Sequence, residues 1–501
     1  MHRRTARVVA RPVVGWLALA AVTAVAGCGG GTGTLSAAQL RDPAQCQGCH
    51  PAQFAQWAGS MHAYASDDPV FLAMNRRGQR ETNGALGDFC VRCHAPQAVR
   101  DGLTTDGMNL AALPASAKGV NCYFCHAAES IEGTHNNPLV LGTDGTLFGP
   151  FGDPSGGAPH RSGYAAMFDE TRTESAHACG GCHDIVNGHG VPLERTFAEW
   201  QGTLFAIPPH GLTCAGCHMS GRDGLAAATG TKTRRIHDHG FPAVDVVLSS
   251  FPGADRAAQE AAVQTALDTT LQGTICLDDA SRRIIVAIDN VGAAHAWPSG
   301  ASQDRRAWVE VTAWAGDRVV YRSGLEPGET TATAADPDLW VLRDCIYGAD
   351  GGEVHMFWEA TSYLANALPG PVSPDVRDPS TLVRTHLKKT LPAEPRTLSE
   401  LPDRITLEVY LKPIGDEVLA SLVASGDLGP ADAAALPTFR MGGLAPITWT
   451  RASATSYIDG SPDRRLACVS SGTYTQMFNI TEGTSHARCP TPPPGPLKPA
   501  E

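Results

Sequence analysis

Fifteen residues in the first half of the chain repeat one chemical pattern. Cys-x-x-Cys-His occurs five times, at Cys46-Cys49-His50, Cys90-Cys93-His94, Cys122-Cys125-His126, Cys179-Cys182-His183 and Cys214-Cys217-His218. Two thiols three positions apart, followed at once by an imidazole, suit covalent attachment of a c-type haem. The thiols add to the haem vinyl groups, and the His ligates the iron from its proximal side. Five covalently bound haems are therefore expected. With 15 Cys and 18 His in 501 residues, chance would supply roughly 0.02 such motifs. Zinc ribbons also use Cys-x-x-Cys, but zinc does not explain a His after every second Cys. A thioredoxin-like pair comes singly.

Each iron has a second axial face. Eight further His lie in this half: His62, His135, His160, His177, His189, His210, His237 and His239. Five irons needing sixth ligands give this surplus a purpose. His62, His135, His160, His189 and His239 are the candidate distal ligands. His239 is preferred to its neighbour His237, His177 sits too close to Cys179 to cross its own haem, and His210 ranks lowest. Met61 and Met167 are rivals that would raise the potential. The basic loop Lys232-Thr233-Arg234-Arg235 could pair with haem propionates or be merely solvated.

The remaining cysteines speak to location. His2, Arg3, Arg4, Arg7 and Arg11 precede an apolar run, Val13 to Ala26, too short to span a bilayer. Val25-Ala26-Gly27-Cys28 resembles a bacterial lipobox, with Cys28 as the lipidated residue. Residues 1–28 are expected to be a lipoprotein signal peptide and 29–41 a flexible tether, which predicts export to the periplasm or cell surface. Cys276, Cys345, Cys468 and Cys489 remain, an even number that suggests two disulfides. The sequence-local choice pairs Cys276 with Cys345 and Cys468 with Cys489.

The elements that must hold these groups follow from length and periodicity. Spacings of 44, 32, 57 and 35 between the first Cys of successive motifs exclude a fixed tandem unit. Residues 42–245 read as a mostly helical and coil pentahaem domain, stabilised largely by its haems. A helical connector is expected at 246–274, with Asp255 as cap, Val263, Leu267 and Leu271 on one face and Gly273 as stop. Residues 275–490 turn to period two. Ile284, Val286 and Ile288 alternate with Ile285 and Ala287. Trp308–Trp314 and Val319–Tyr321 flank a turn at Ala315-Gly316-Asp317, and Ile405, Leu407, Val409 and Leu411 share a face. The expected fold is α+β multidomain, a multihaem domain followed by an antiparallel β-sandwich-like domain. A helix near Glu417–Ala424 is an insertion, and residues 491–501 are a Pro-rich tail.

Four stretches carry a family resemblance: CQGCHPAQFAQWAGSMH from Cys46, GVNCYFCH from Gly119, CGGCHDIVNGHGVPLERTFAEW from Cys179 and TCAGCHM from Thr213. They resemble the cytochrome c-554 family of multihaem cytochromes. The resemblance implies electron transfer outside the cytoplasm through packed haem pairs with mainly bis-His irons, and it matches His62 to a distal ligand. The best-known member has four haems, so pairing of the other distal His does not transfer. The segment from His295 to Trp308 looks like the β-domain that follows the haems in some relatives; His295 could approach a haem edge, but a structural loop role is preferred.

The first functional expectation is therefore a lipid-anchored electron carrier with redox partner proteins. A formal net charge of -12, before haem propionates, argues against nucleic acid as a partner. The alternative is an oxidoreductase acting on hydroxylamine or nitrite at one five-coordinate haem. The Cys-x-x-Cys-Lys motif of the pentahaem nitrite reductases does not occur. No catalytic residue is assigned. A third reading makes the β-domain a docking module with exposed strand edges.

Overall fold

A computed structural model describes residues 34–153, 159–209, 211–372, 386–442, 446–458, 465–471 and 488–491. The expected signal peptide, the lipobox Cys28, His210 and the tail beyond residue 491 lie outside the described residues.

Each motif begins or contains one turn of helix. The His50 amide donates to the Cys46 carbonyl at 2.8 Å, the His94 amide to Cys90 at 3.2 Å and the His183 amide to Cys179 at 3.0 Å. An i to i+4 bond places the imidazole on the face of the first thiol, so the motif presents both groups together. The other two motifs are the helices Cys122–His126 and Cys214–His218. Asn121 caps the first of these by accepting from the Phe124 amide at 2.9 Å. Longer helices run between motifs, at Pro51–Ala58, Pro69–Glu81 and Thr196–Gln201. Asp68 starts the second, accepting from the amides of Val70 and Phe71 at 2.8 Å each.

The connector helix runs from Arg256 to Leu267 with Asp255 as its cap. It ends earlier than the sequence predicts. Val263 and Leu267 are buried as expected, but Leu271 and Gly273 belong to the strand Leu271–Asp278. Pairing of that strand with Arg283–Asn290 over eight residues outweighs the helical periodicity.

Two large antiparallel sheets and a two-stranded pair, Cys345–Tyr347 with Ser362–Leu364, occupy the described residues of the second half. The first orders His386–Leu391, Arg283–Asn290, Leu271–Asp278, Arg465–Ser470 and Thr455–Ile458. The second centres on Arg306–Ala315 and Arg404–Lys412, paired over nine residues. Ile284, Val286 and Ile288 meet Val309, Val311, Ile405, Leu407, Val409 and Leu411 in one buried core. Ile285 and Ala287 face the other way, into a smaller cluster with Cys276, Leu466 and Cys468. The expected hairpin forms between Arg306–Ala315 and Arg318–Ser323, with Gly316 at φ +60° in the turn. The predicted insertion helix spans Asp416–Ala424.

The disulfides correct the sequence-local pairing. Cys276 bonds Cys468, with Cα atoms 4.0 Å apart, and Cys345 bonds Cys489, at 5.7 Å. Cys276 and Cys468 are directly opposed on neighbouring strands. Strand register, not sequence proximity, brings the sulfurs together. No helix among the described residues is long and apolar enough to cross a membrane.

Candidate haem-binding site

All ten motif cysteines and all five motif histidines line one continuous cavity of about 1390 Å³. Nine of these thiols are free, whereas Cys49 is disulfide-bonded and its sulfur must be released before it can hold haem. The motifs are packed against one another through their sulfurs. Cys46 hydrogen-bonds Cys122, Cys93 hydrogen-bonds Cys182, and Cys179 hydrogen-bonds Cys214. First and third, second and fourth, and fourth and fifth motifs are therefore immediate neighbours.

The proximal imidazoles are aimed by backbone carbonyls. Nδ1 of His50 meets the Ala226 oxygen at 2.7 Å, that of His94 the Ala65 oxygen at 3.1 Å, that of His126 the Phe148 oxygen at 2.6 Å and that of His218 the Pro242 oxygen at 2.7 Å. Donation from Nδ1 fixes the tautomer that leaves Nε2 with a lone pair for a metal.

Four of the five motif rings face a second imidazole across the cavity. Centroids are 6.3 Å apart for His50 and His160, 6.2 Å for His183 and His62, 6.4 Å for His126 and His239, and 6.5 Å for His218 and His295. An imidazole nitrogen lies about 2 Å from a bound metal and about 1 Å from its ring centroid, so two rings sharing one iron stand about 6 Å apart. The residues present fit haem iron in type, tautomer and spacing. His94 differs. No described His ring stands at this spacing from it, and Phe71 stacks on it at 4.0 Å with planes 3° apart.

Residues 45–127 match the family model for cytochrome c554 and c-prime. The matched stretch holds the first three Cys-x-x-Cys-His motifs. A penta-heme cytochrome c552 from Thermochromatium tepidum is similar in fold to this chain, with a TM-score of 0.55 and 20% identity over 82% of this chain and 99% of that one. No curated protein matches the chain.

Burial sets the charge state of the cavity. It pushes His62 down to about 3, helped by the neighbouring His183, and His183, His239 and His295 down to about 4. Neutral imidazole is the ligating form. His183 lines the cavity although its side chain is exposed. Burial also raises Cys90 to about 12 and Cys125 to about 11.

The structure sorts the other sequence candidates. His135 and His189 are exposed and do not line the cavity. His135 precedes Asn136 and Asn137, both at positive φ. His189 sits in a turn closed by Asn187, whose side-chain oxygen accepts from the amides of His189 and Val191. His177 packs edge-on against Phe197. His237 reaches the cavity, but its Nδ1 meets the Met219 oxygen at 2.8 Å and its Nε2 lies 3.4 Å from Glu170. Met61 and Met167 border the cavity. Lys232 and Arg234 both pair with Asp153 at 2.6 Å, and Arg235 lies 3.5 Å from Glu170. Sequence reasoning ranked a haem-edge position for His295 below a structural one and missed Phe71. A loop His in the sheet half carries no local mark of a metal ligand.

Proposed function

We propose that this chain carries five haems and conducts electrons along them, with Cys28 anchoring it by lipid outside the cytoplasm. The observation that supports this most is the shared cavity, in which the first motif meets the third, and the fourth meets the second and fifth, through their sulfurs. Bound haem supplies reversible one-electron chemistry at iron. The chain supplies attachment through the motif cysteines, proximal ligation through His50, His94, His126, His183 and His218, and exclusion of water. His160, His62 and His239 are the proposed distal ligands opposite His50, His183 and His126. Mostly bis-His irons hold no vacant face for a substrate and favour conduction. Metabolic labelling with palmitate should mark the full chain and not Cys28→Ala. Haem content by the pyridine method, with reductive titration of the holoprotein, should give five haems and five electrons. Three or fewer of either would refute the reading.

One observation favours a second role. His94 has no second imidazole opposite it among the described residues. The second-motif iron would then keep one face open, the arrangement required for a small nitrogen compound such as hydroxylamine or nitrite to bind. A high-spin ferric signal from one haem in five, shifted by nitrite or nitric oxide, supports this role. Five low-spin signals exclude it.

A further inference from the structure

The fifth motif differs from the others in where its facing imidazole originates. His62 and His160 lie between motifs in sequence and His239 follows the fifth, all before the connector helix, whereas His295 lies beyond that helix, between the strands Arg283–Asn290 and Arg306–Ala315. Its ring is 6.5 Å from that of His218, and the two planes are within 12° of parallel. Its Nδ1 meets the Ala296 oxygen at 2.7 Å, leaving Nε2 as the atom with a free lone pair. The side chain lines the motif cavity.

The loop that carries His295 is clamped between the two halves. On the motif side stands the helix Thr196–Gln201, which lies between the fourth and fifth motifs. Glu199 accepts from the Ala296 amide at 3.2 Å and from the Ser299 hydroxyl at 2.6 Å. Thr196 accepts from the Gly300 amide at 3.0 Å. On the sheet side, the Asn290 amide group donates to the His295 carbonyl at 2.7 Å. Gly370 packs so close that an added Cβ would lie 3.0 Å from that same carbonyl oxygen. Bonds on both flanks hold the imidazole in place without help from a metal. A loop His of purely structural use would not need its ring parallel to His218 with one nitrogen unengaged.

We propose that His295 is the sixth ligand of the iron in the haem attached at Cys214 and Cys217, so that the sheet half completes a redox centre of the motif half. This rests on the haem reading above and assigns the sheet half a chemical part in it. The sheet half then holds the fifth iron closed and low in potential, because a second imidazole favours the ferric state more than a thioether or water does. Detachment of the sheet half opens that iron.

The test uses the full-length holoprotein and three variants, read by electron paramagnetic resonance and by potentiometric titration. His295→Ala should convert one haem in five from low spin to high spin. His295→Met should keep that haem six-coordinate, raise its potential, and add the charge-transfer band of methionine on ferric iron. A loop residue that only packs produces neither signature. His62→Ala is the control within the motif half. If His62→Ala opens one haem while His295→Ala and His295→Met leave all spin states and potentials unchanged, the proposal is overturned and the haem reading stands. If none of the three variants changes any haem, the ligation scheme as a whole is wrong. Should His295→Ala fail to yield holoprotein, the methionine variant decides alone.

Discussion

His62 and His183 face each other with ring centroids 6.2 Å apart. The histidine that follows the first motif is thus aimed at the fourth, and the intervening chain folds around the space between them. His62→Ala should leave the fourth-motif iron with one protein ligand. Magnetic resonance of the oxidised holoprotein should show about one fifth of the iron becoming high spin, and added imidazole should reverse it.

The third motif meets the first by sulfur contact, Cys122 against Cys46. Replacing Cys122 and Cys125 together by Ser removes one attachment site. The mass of the mature chain and its pyridine haemochrome should fall from five haems to four. An unchanged count would show that these thiols hold no haem.

The Cys276–Cys468 bond joins opposed residues of two strands in the first sheet. Replacing both by Ser should destabilise the holoprotein by about 2–4 kcal/mol, seen as a lower denaturant midpoint. Cys345→Ser paired with Cys468→Ser should be worse than either matched pair, because each leaves a lone thiol.

Leu407 is fully buried between the two sheets. Leu407→Ala should cost about 2–5 kcal/mol through lost burial and the cavity left behind. Urea unfolding followed by the far-ultraviolet signal of the sheet half measures it. A loss below about 1 kcal/mol would contradict the observed packing.

Stability should also depend on pH. Burial pushes Glu194, Glu199 and Asp304 each up to about 7. The unfolded chain releases these protons near pH 4, at about 3.9 for Asp and 4.3 for Glu. Between those limits the folded protein holds more protons than the unfolded one, so stability falls as pH rises through the interval. The contribution is full below about pH 4 and is lost by about pH 7. Denaturant midpoints should be lower at pH 8 than at pH 5, and Glu194→Gln should narrow the difference. A midpoint that climbs over that range would sink this assignment.

Much of the fold was legible because its signals are local. The capped connector helix at Asp255, the hairpin around Gly316 and the alternating Ile405 to Leu411 strand each depend on residues within one turn or one pleat. The end of the connector helix was not legible. Leu271 continues the helical spacing, yet cross-strand partners distant in sequence draw it into a sheet.

The site divides in the same way. Its covalent chemistry is written in five consecutive residues, because one turn of helix brings two thiols and an imidazole to one face. The sequence alone thus determined the cofactor class and the ten sulfurs and five imidazoles proposed to hold it. Only the tertiary structure decided which histidines face them. His62, His160 and His239 reach the cavity, His135 and His189 do not, and His295 arrives from the other half of the chain. It also decided that Cys276 meets Cys468. The entropy of closing a chain loop rises only slowly with its length, so sequence separation discriminates weakly among distant partners. Packing and strand register make that choice.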